Sequence, residues 1–342
     1  MSLEDIGWTP RLEEAWRAEY AGEGLEPARI ASSLRGAFVL WTAHGEVEAP
    51  CRPKLIRRAE SKPCTGDWVV LRTHPAVVEA VLPRSSRVAR KAPGAQTVEQ
   101  VLGANVDVLF LVTGLDRDFN VRRLERYLAI ARESGARPVV VLNKADISPD
   151  LEASLRAVDE VAGDALVLHV SAKTGAGVEK MLELLEPGKT AALIGSSGVG
   201  KSALTNRLLG YELRAVGELR ASDQKGQHTT VGRELLRAPQ GWLLMDLPGI
   251  REVQPIADDG MEETFADVEE LMTQCRFRDC RHSGEPGCAV QAALDSGELD
   301  RARYANYQRM QQEFNVLQSK MDAKKEMRRI HKEQRGASRK KR

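Results

Sequence analysis

The sequence predicts a multidomain chain: a small N-terminal β-barrel, a central α/β domain on a parallel sheet, and a mostly helical C-terminal domain around a Cys/His cluster. Three observations predict it. From Gly36 to about residue 92, short apolar or alternating runs are split by turn residues, the pattern of an all-β unit. From about 93 to 255, strand-length apolar runs alternate with segments of helical period, the pattern of a parallel sheet covered on both faces. Beyond 255 the chain turns helical, and Cys275, Cys280, His282 and Cys288 bunch in one turn-rich segment. The domains expected are 1–35, a helical extension; 36–92, the barrel; 93–255, the α/β domain; and 256–342, the helical domain with a basic tail.

The extension offers Trp8, Trp16 and Tyr20 for packing. The barrel runs are "GAFVLWTAHGEVEAPC", "KLIRRAE", "GDWVVLRTH" and "AVVEAVLPR". In the α/β part, "VDVLFLVTGL", "RPVVVLN", "ALVLHV" and "TAALIG" read as buried strands. Between them lie the helices "VRRLERYLAIARES", stopped by Gly135, then "LEASLRAVDEVA" and "GVEKMLELLEPG"; "KSALTNRLL" follows the last strand. "GRELLRA" and "GWLLMDLPG" flank Pro239-Gln240-Gly241 and predict a hairpin. A long helix starts near Leu299 and leads into the tail, whose last residues, "GASRKKR", are expected to be disordered.

Apolar residues make up 42% and charged residues 29%, which fits a soluble globular protein. The start carries acidic residues and no apolar run, so no secretory signal is expected, and no apolar run is long enough to cross a bilayer. The expected location is cytoplasmic, with no membrane partner, as a monomer. Net charge is only +1, but basic residues gather in the tail from Lys320 and at Pro83–Gly94. That asymmetry suggests a polyanionic partner; the plainer reading is two solvated surface runs.

"TAALIGSSGVGKS" joins a strand, a Gly-rich loop and a helix start, with Gly195, Gly200, Lys201 and Ser202 at the defining positions of a phosphate-binding loop. Its N–H groups at Gly195, Ser196, Ser197, Gly198, Val199 and Gly200, and on to Ala203, would wrap phosphates. Lys201 would reach the outer phosphates, and Ser202 would ligate Mg²⁺. "NKAD" (Asn143, Lys144, Ala145, Asp146) follows a buried strand. A carboxylate at Asp146 accepts two side-by-side donors, which guanine offers and adenine does not. "SAKTG" after the next strand brings Ser171, Ala172 and Lys173, whose backbone would meet the guanine oxygen. In "DLPG", Asp246 fits the carboxylate behind Mg²⁺ and the Gly249 N–H fits a γ-phosphate sensor. Thr230, favoured over Thr229, would close over Mg²⁺.

The base-reading motif thus precedes the phosphate loop. Moving the first block to the end restores the usual GTPase order, so the chain reads as a P-loop GTPase with circularly permuted motifs that binds GTP and GDP. Where a Gln would orient the attacking water, the chain has Ile250. His228 is the candidate replacement; its alternative is a solvent-facing loop histidine. The cluster Cys275, Cys280, His282 and Cys288 predicts one structural Zn²⁺, with buried free cysteines or a redox site as alternatives. Arg84, Arg87, Arg90 and Lys91 are the candidate RNA contacts.

The permuted order, the preceding barrel and "CxxxxCxHxxEPGC", with "GQHTT" and "PGIRE", resemble the ribosome small-subunit-dependent GTPase A family, also called RsgA or YjeQ. The resemblance spans about Gly36 to Gln318. It implies that the barrel is an OB-fold. It implies GTP hydrolysis stimulated by the small ribosomal subunit and a role in late maturation of that subunit, whose rRNA would be the partner. It carries the zinc ligands onto Cys275, Cys280, His282 and Cys288, and the catalytic histidine onto His228.

Overall fold

The computed structural model describes residues 2–22, 24–57, 62–91, 99–211, 234–247 and 259–340. After helix α1 (Pro10–Glu19), strands β1 (Leu25–Ser33), β2 (Phe38–Thr42), β3 (Gly45–Ala49), β4 (Trp68–Thr73) and β5 (Ala76–Val81) form an antiparallel sheet in the order β3-β2-β1-β4-β5. Its two edges approach each other: Val78 donates to the Pro50 carbonyl (2.9 Å) and Arg52 to the Val78 carbonyl (3.1 Å). Strand β4 is buried on both faces. Val69 and Leu71 fill the sheet's own core with Ile30, Leu40 and Val78, while Trp68 and Val70 point into the core shared with the next sheet.

Two expectations fail in this part. "KLIRRAE" is not a strand: Pro53–Arg57 is helix α2, whose proline stands first, where its fixed φ suits a helix start. The expected helical extension ends at Glu19, and Leu25–Ser33 is the central strand of the sheet. Pro27 hides it. It sits where β1 pairs only with β4, so a missing N–H breaks no β2 ladder bond.

A ribbon of β6 (Arg87–Lys91) and β7 (Glu99–Ala104), not expected from the sequence, leads to the second sheet. That sheet has the order β10-β9-β8-β11-β13-β12, from β8 (Val108–Gly114), β9 (Arg137–Asn143), β10 (Leu166–His169), β11 (Thr190–Ile194), β12 (Leu235–Arg237) and β13 (Leu243–Met245). Its pairs are parallel except β12–β13, the expected hairpin. Side chains alternate. Leu109, Leu111, Val140 and Leu142 face α3 (Val121–Ser134) and α4 (Leu151–Ala162). Phe110, Val112, Val139 and Val141 face α5 (Val178–Leu182) and α6 (Lys201–Leu209). The C-terminal helices are α7 (Asp259–Thr264), α8 (Ala266–Thr273), α9 (Ala289–Ser296) and α10 (Arg301–Lys340), with a core around Met261, Phe265, Tyr307 and Met310. Helix α10 continues through the stretch expected to be disordered, as far as Lys340.

Candidate functional site: a nucleotide pocket and a Cys/His cluster

The phosphate-loop residues connect β11 to α6. Glycine is required there by close approach: a Cβ at Gly195 would lie 2.2 Å from the Val112 carbonyl oxygen, and one at Gly200 2.3 Å from Asn143 Nδ2. Lys201 Nζ donates to the carbonyls of Gly195 and Ser196, both at 2.7 Å, which holds the ammonium over the loop. Burial lowers its pKa, with Asp246 opposing. Ser202 and Ala203 open helix α6 beside it.

The base-reading motif is tied to this loop by side chains. Asn143 Nδ2 donates to the Val199 carbonyl (2.8 Å), and its Oδ1 accepts the Ala172 N–H (2.9 Å). One buried amide therefore joins the phosphate loop to the "SAK" turn. Lys144, held at φ +66°, reaches the Gly198 carbonyl (2.6 Å) and Asp116 (2.5 Å). Ser171 Oγ donates to Asp146 Oδ1 (2.6 Å) and fixes that carboxylate at the pocket wall. A cavity of about 480 Å³ opens between Asn143, Lys144, Asp146, Ala172, Lys173 and Gly200. Asp246 follows β13 and faces the Lys201 side; burial, then Glu234, raises its carboxyl pKa, and Lys201 opposes them. His228, Thr229, Thr230, Gly249 and Ile250 lie outside the described residues.

In the C-terminal region, one ligand atom from each of Cys275, Cys280, His282 and Cys288 lies within 4.8 Å of every other. His282 Nδ1 is 3.5 Å from the sulfurs of Cys275 and Cys288, which are 4.0 Å apart. The group can hold a metal ion. Cys288 also caps α9, accepting the Gln291 N–H (3.3 Å). Glu285 closes the loop by accepting N–H groups of Ser283 (2.8 Å) and Arg281 (3.1 Å). Backbone N–H groups, its own first and then that of Ser283, hold its carboxyl down at about 2.

A family model described as RsgA GTPase matches residues 81–255. A relative from Opitutus terrae, "Small ribosomal subunit biogenesis GTPase RsgA", is 44% identical over 94% of this chain and 92% of its own length. The chain belongs to the RsgA GTPase family, and it is a GTP-hydrolysing enzyme. A second relative, from Vibrio vulnificus, is 42% identical over 90% of this chain and 86% of its own. Among solved structures, YjeQ from Thermotoga maritima superposes with a TM-score of 0.61 at 28% identity, covering 85% of this chain and 98% of that one. YloQ, described as a circularly permuted GTPase, shares the fold at TM-score 0.58 and 22% identity, with 87% and 98% covered.

Of the candidate RNA contacts, Arg84 is committed elsewhere. Its guanidinium pairs with the buried Asp67 through two bonds (2.7 and 2.8 Å) and donates to the Lys62 carbonyl (3.0 Å). Arg87 is exposed on β6; the side chains of Arg90 and Lys91 lie outside the described residues. Three residues that sequence reasoning passed over do bear on the nucleotide site. Asp116 anchors Lys144, and Asp118 pairs with Arg123 (2.6 Å), which donates to Ser196 Oγ (2.8 Å) in the phosphate loop. The available signal was "GLDRDFN", charged residues just past the carboxyl end of a buried strand, where α/β sheets bind their ligands.

Proposed function

We propose that this GTPase acts in maturation of the small ribosomal subunit, as the names of its relatives say of them. The subunit would stimulate hydrolysis, and GTP turnover would control release. The observation that carries the nucleotide reading is the Asn143 amide, which binds the base-reading strand to the phosphate loop across the permuted order. Guanine is read by Asp146, with Lys144 alongside and Ser171, Ala172 and Lys173 on the oxygen side. Residues 195–201 hold the phosphates. Ser202, Thr230 and Asp246 serve Mg²⁺, Gly249 senses the γ-phosphate, and His228 directs the attacking water. The first sheet, closing on itself at Pro50–Arg52, is read as an OB-type barrel that meets rRNA with help from Arg87. It begins at Leu25, so the units proposed are an extension, this barrel, the GTPase to about residue 255 and the metal-binding helical unit. No helix among the described residues is long and apolar enough to cross a membrane; the proposed setting is the cytoplasm, as a monomer.

The Cys/His cluster is read as a structural zinc site. Zn–S bonds of about 2.3 Å and Zn–N bonds of about 2.0–2.1 Å in a tetrahedron put sulfurs about 3.8 Å apart and sulfur about 3.6 Å from nitrogen. The 4.0 Å between the Cys275 and Cys288 sulfurs and the 3.5 Å from each to His282 Nδ1 support that frame for three of the ligands, and Cys280 completes a group whose widest separation is within 4.8 Å. Four protein ligands leave no position for a reacting water, so the ion organises the loop.

The test is GTP turnover with and without purified small subunits at two salt concentrations. Stimulation that fades with salt is expected for a GTPase completed by an RNA partner. A second reading, GTP as a structural ligand of an RNA-binding scaffold, draws on Ile250. It gains if the subunit binds yet turnover stays basal.

A further inference from the structure

Asp246 is flanked by two side chains that both point away from the nucleotide. Met245 and Leu247 are 1% and 5% exposed, and they pack with Trp68, Val70, Leu82 and Leu102. Alternation along the strand end puts them on one face and Asp246 on the other. The seat of Met245 is made of two glycines from outside the GTPase sheet. A Cβ on Gly103 of β7 would lie 2.1 Å from Met245 Sδ and 3.2 Å from Leu247 Cδ2. A Cβ on Gly66, in the turn before β4, would lie 2.4 Å from Met245 Cε. Gly103 is not among the glycines of positive φ, so it is the side chains of Met245 and Leu247, and not its backbone, that exclude a side chain there.

A second contact reaches Asp246 from β1 of the N-terminal sheet. Ser32 of β1 bridges Glu234, and the Glu234 carbonyl accepts the Asp246 N–H (2.9 Å). The seat and the bridge share a frame: Gly66 donates to the Ile30 carbonyl (2.9 Å), and its own carbonyl accepts from Asn105 (3.0 Å) and Arg29 (3.3 Å). Arg29 in turn donates to Thr190 Oγ1 (2.8 Å), the first residue of the strand that leads to the phosphate loop.

We infer that Met245, seated between Gly66 before β4 and Gly103 of the β6–β7 ribbon, is a positioning residue for Asp246, so that the junction of the ribbon with the N-terminal sheet sets the Mg²⁺ end of the nucleotide site. The inference rests on reading Asp246 as the carboxylate behind Mg²⁺. A close-packed seat of this kind transmits displacement, because neither backbone wall can yield to a moved side chain. A polyanion docked on the sheet would then bias triphosphate against diphosphate without touching the pocket.

The test measures, by fluorescent-nucleotide displacement on the full chain, the affinity ratio of a non-hydrolysable GTP analogue to GDP in Mg²⁺. GDP affinity in EDTA and a thermal melt are recorded beside it. Gly103→Ala and Met245→Ala are expected to shift the ratio by roughly 2-fold to 30-fold with GDP affinity in EDTA retained. Met245→Leu should keep the wild-type ratio. The double variant Gly103→Ala/Met245→Ala should return toward it, since the added methyl enters space the thioether has left. If Gly103→Ala does not fold, the Met245→Ala and Met245→Leu pair decides. An unchanged ratio with a lowered melting temperature makes Met245 a core filler and overturns the inference. A wild-type chain with no Mg²⁺-dependent preference for the triphosphate overturns the reading of Asp246 instead.

Discussion

The GTPase sheet meets the rest of the molecule along two seams of different chemistry. Toward the N-terminal sheet the contact is hydrocarbon. Trp8 stands edge-on to Trp68 with ring centroids 4.7 Å apart, and Val70, Leu82, Leu102 and Met245 continue without a break into Leu109, Leu111 and Leu128. The charge set into this seam is Arg29, 1% exposed, which spends its donors on the carbonyls of Ile6, Gly66 and Asn105 and on Thr190. Toward the C-terminal helices an apolar contact of Ala129 with the core of Met261 and Phe265 is flanked by a row of ion pairs. Along α3, Arg122 pairs with Asp300, Arg126 with Glu313 (2.6 Å), and the fully buried Glu125 receives Arg303 (2.5 Å) and Asn306 (2.6 Å). Asp267 completes the group; burial works against its charge, but Arg303 still holds its carboxyl below the ordinary value. Hydrocarbon contact is non-directional and close-packed, so it passes on displacement. A charged seam is directional, depends on each partner, and responds to salt where water reaches it.

The contrast can be broken most severely at the Cys/His loop. The C-terminal core is small, and a structural metal supplies on the order of 10–16 kcal/mol in comparable small sites. Cys280→Ser, or a strong chelator acting on the proposed zinc, should unfold residues 275–288 while the hydrocarbon seam stays protected. Hydrogen exchange would show it, and equal loss of protection on both seams would contradict it. Next comes Glu125→Ala, which leaves Arg303 buried beside an empty position. About 3–5 kcal/mol of stability should be lost, read by urea unfolding. Replacing both partners, Glu125→Leu with Arg303→Met, should be milder than the sum of the single changes.

A smaller effect is expected from Arg29→Met, which strands the carbonyls of Ile6 and Asn105 and the Thr190 hydroxyl: about 1–3 kcal/mol. Here pH gives a signed check. Burial lowers the folded-state pKa of Arg29 from its ordinary value to about 10, so below about 10 the folded chain carries a proton it holds less well than the unfolded chain does. Its contribution to stability therefore rises as pH climbs above about 10, and the Met variant should lack that rise. The smallest effect is that of salt. The part-exposed pairs of Arg122 and Arg126 should weaken by less than about 1 kcal/mol between low and high NaCl, with faster exchange at the α3–α10 contact and none at Trp68.

Chemistry that needs neighbouring residues at fixed spacing was legible before any fold. The phosphate loop, "NKAD" and the cysteine cluster each place donors within a few residues on a strand–loop–helix or a turn, and their backbone geometry is local. The parallel sheet was legible too, because strands buried on both faces read as unbroken apolar runs. Leu25–Ser33 was not, since its strand state comes from pairing on both sides and its own residues include a proline. The short apolar run around Leu55 carried no period that separates helix from strand. Arg84 looked like a surface cation in a basic stretch, and only the fold brings Asp67, 17 residues earlier, against it. Asp116, Arg123 and the Met245 seat belong to the same class. Sequence alone determined which chemistry this protein carries, because motifs are short-range. Tertiary structure decided which side chains are spent on holding that chemistry in place, because those contacts join residues far apart in the chain.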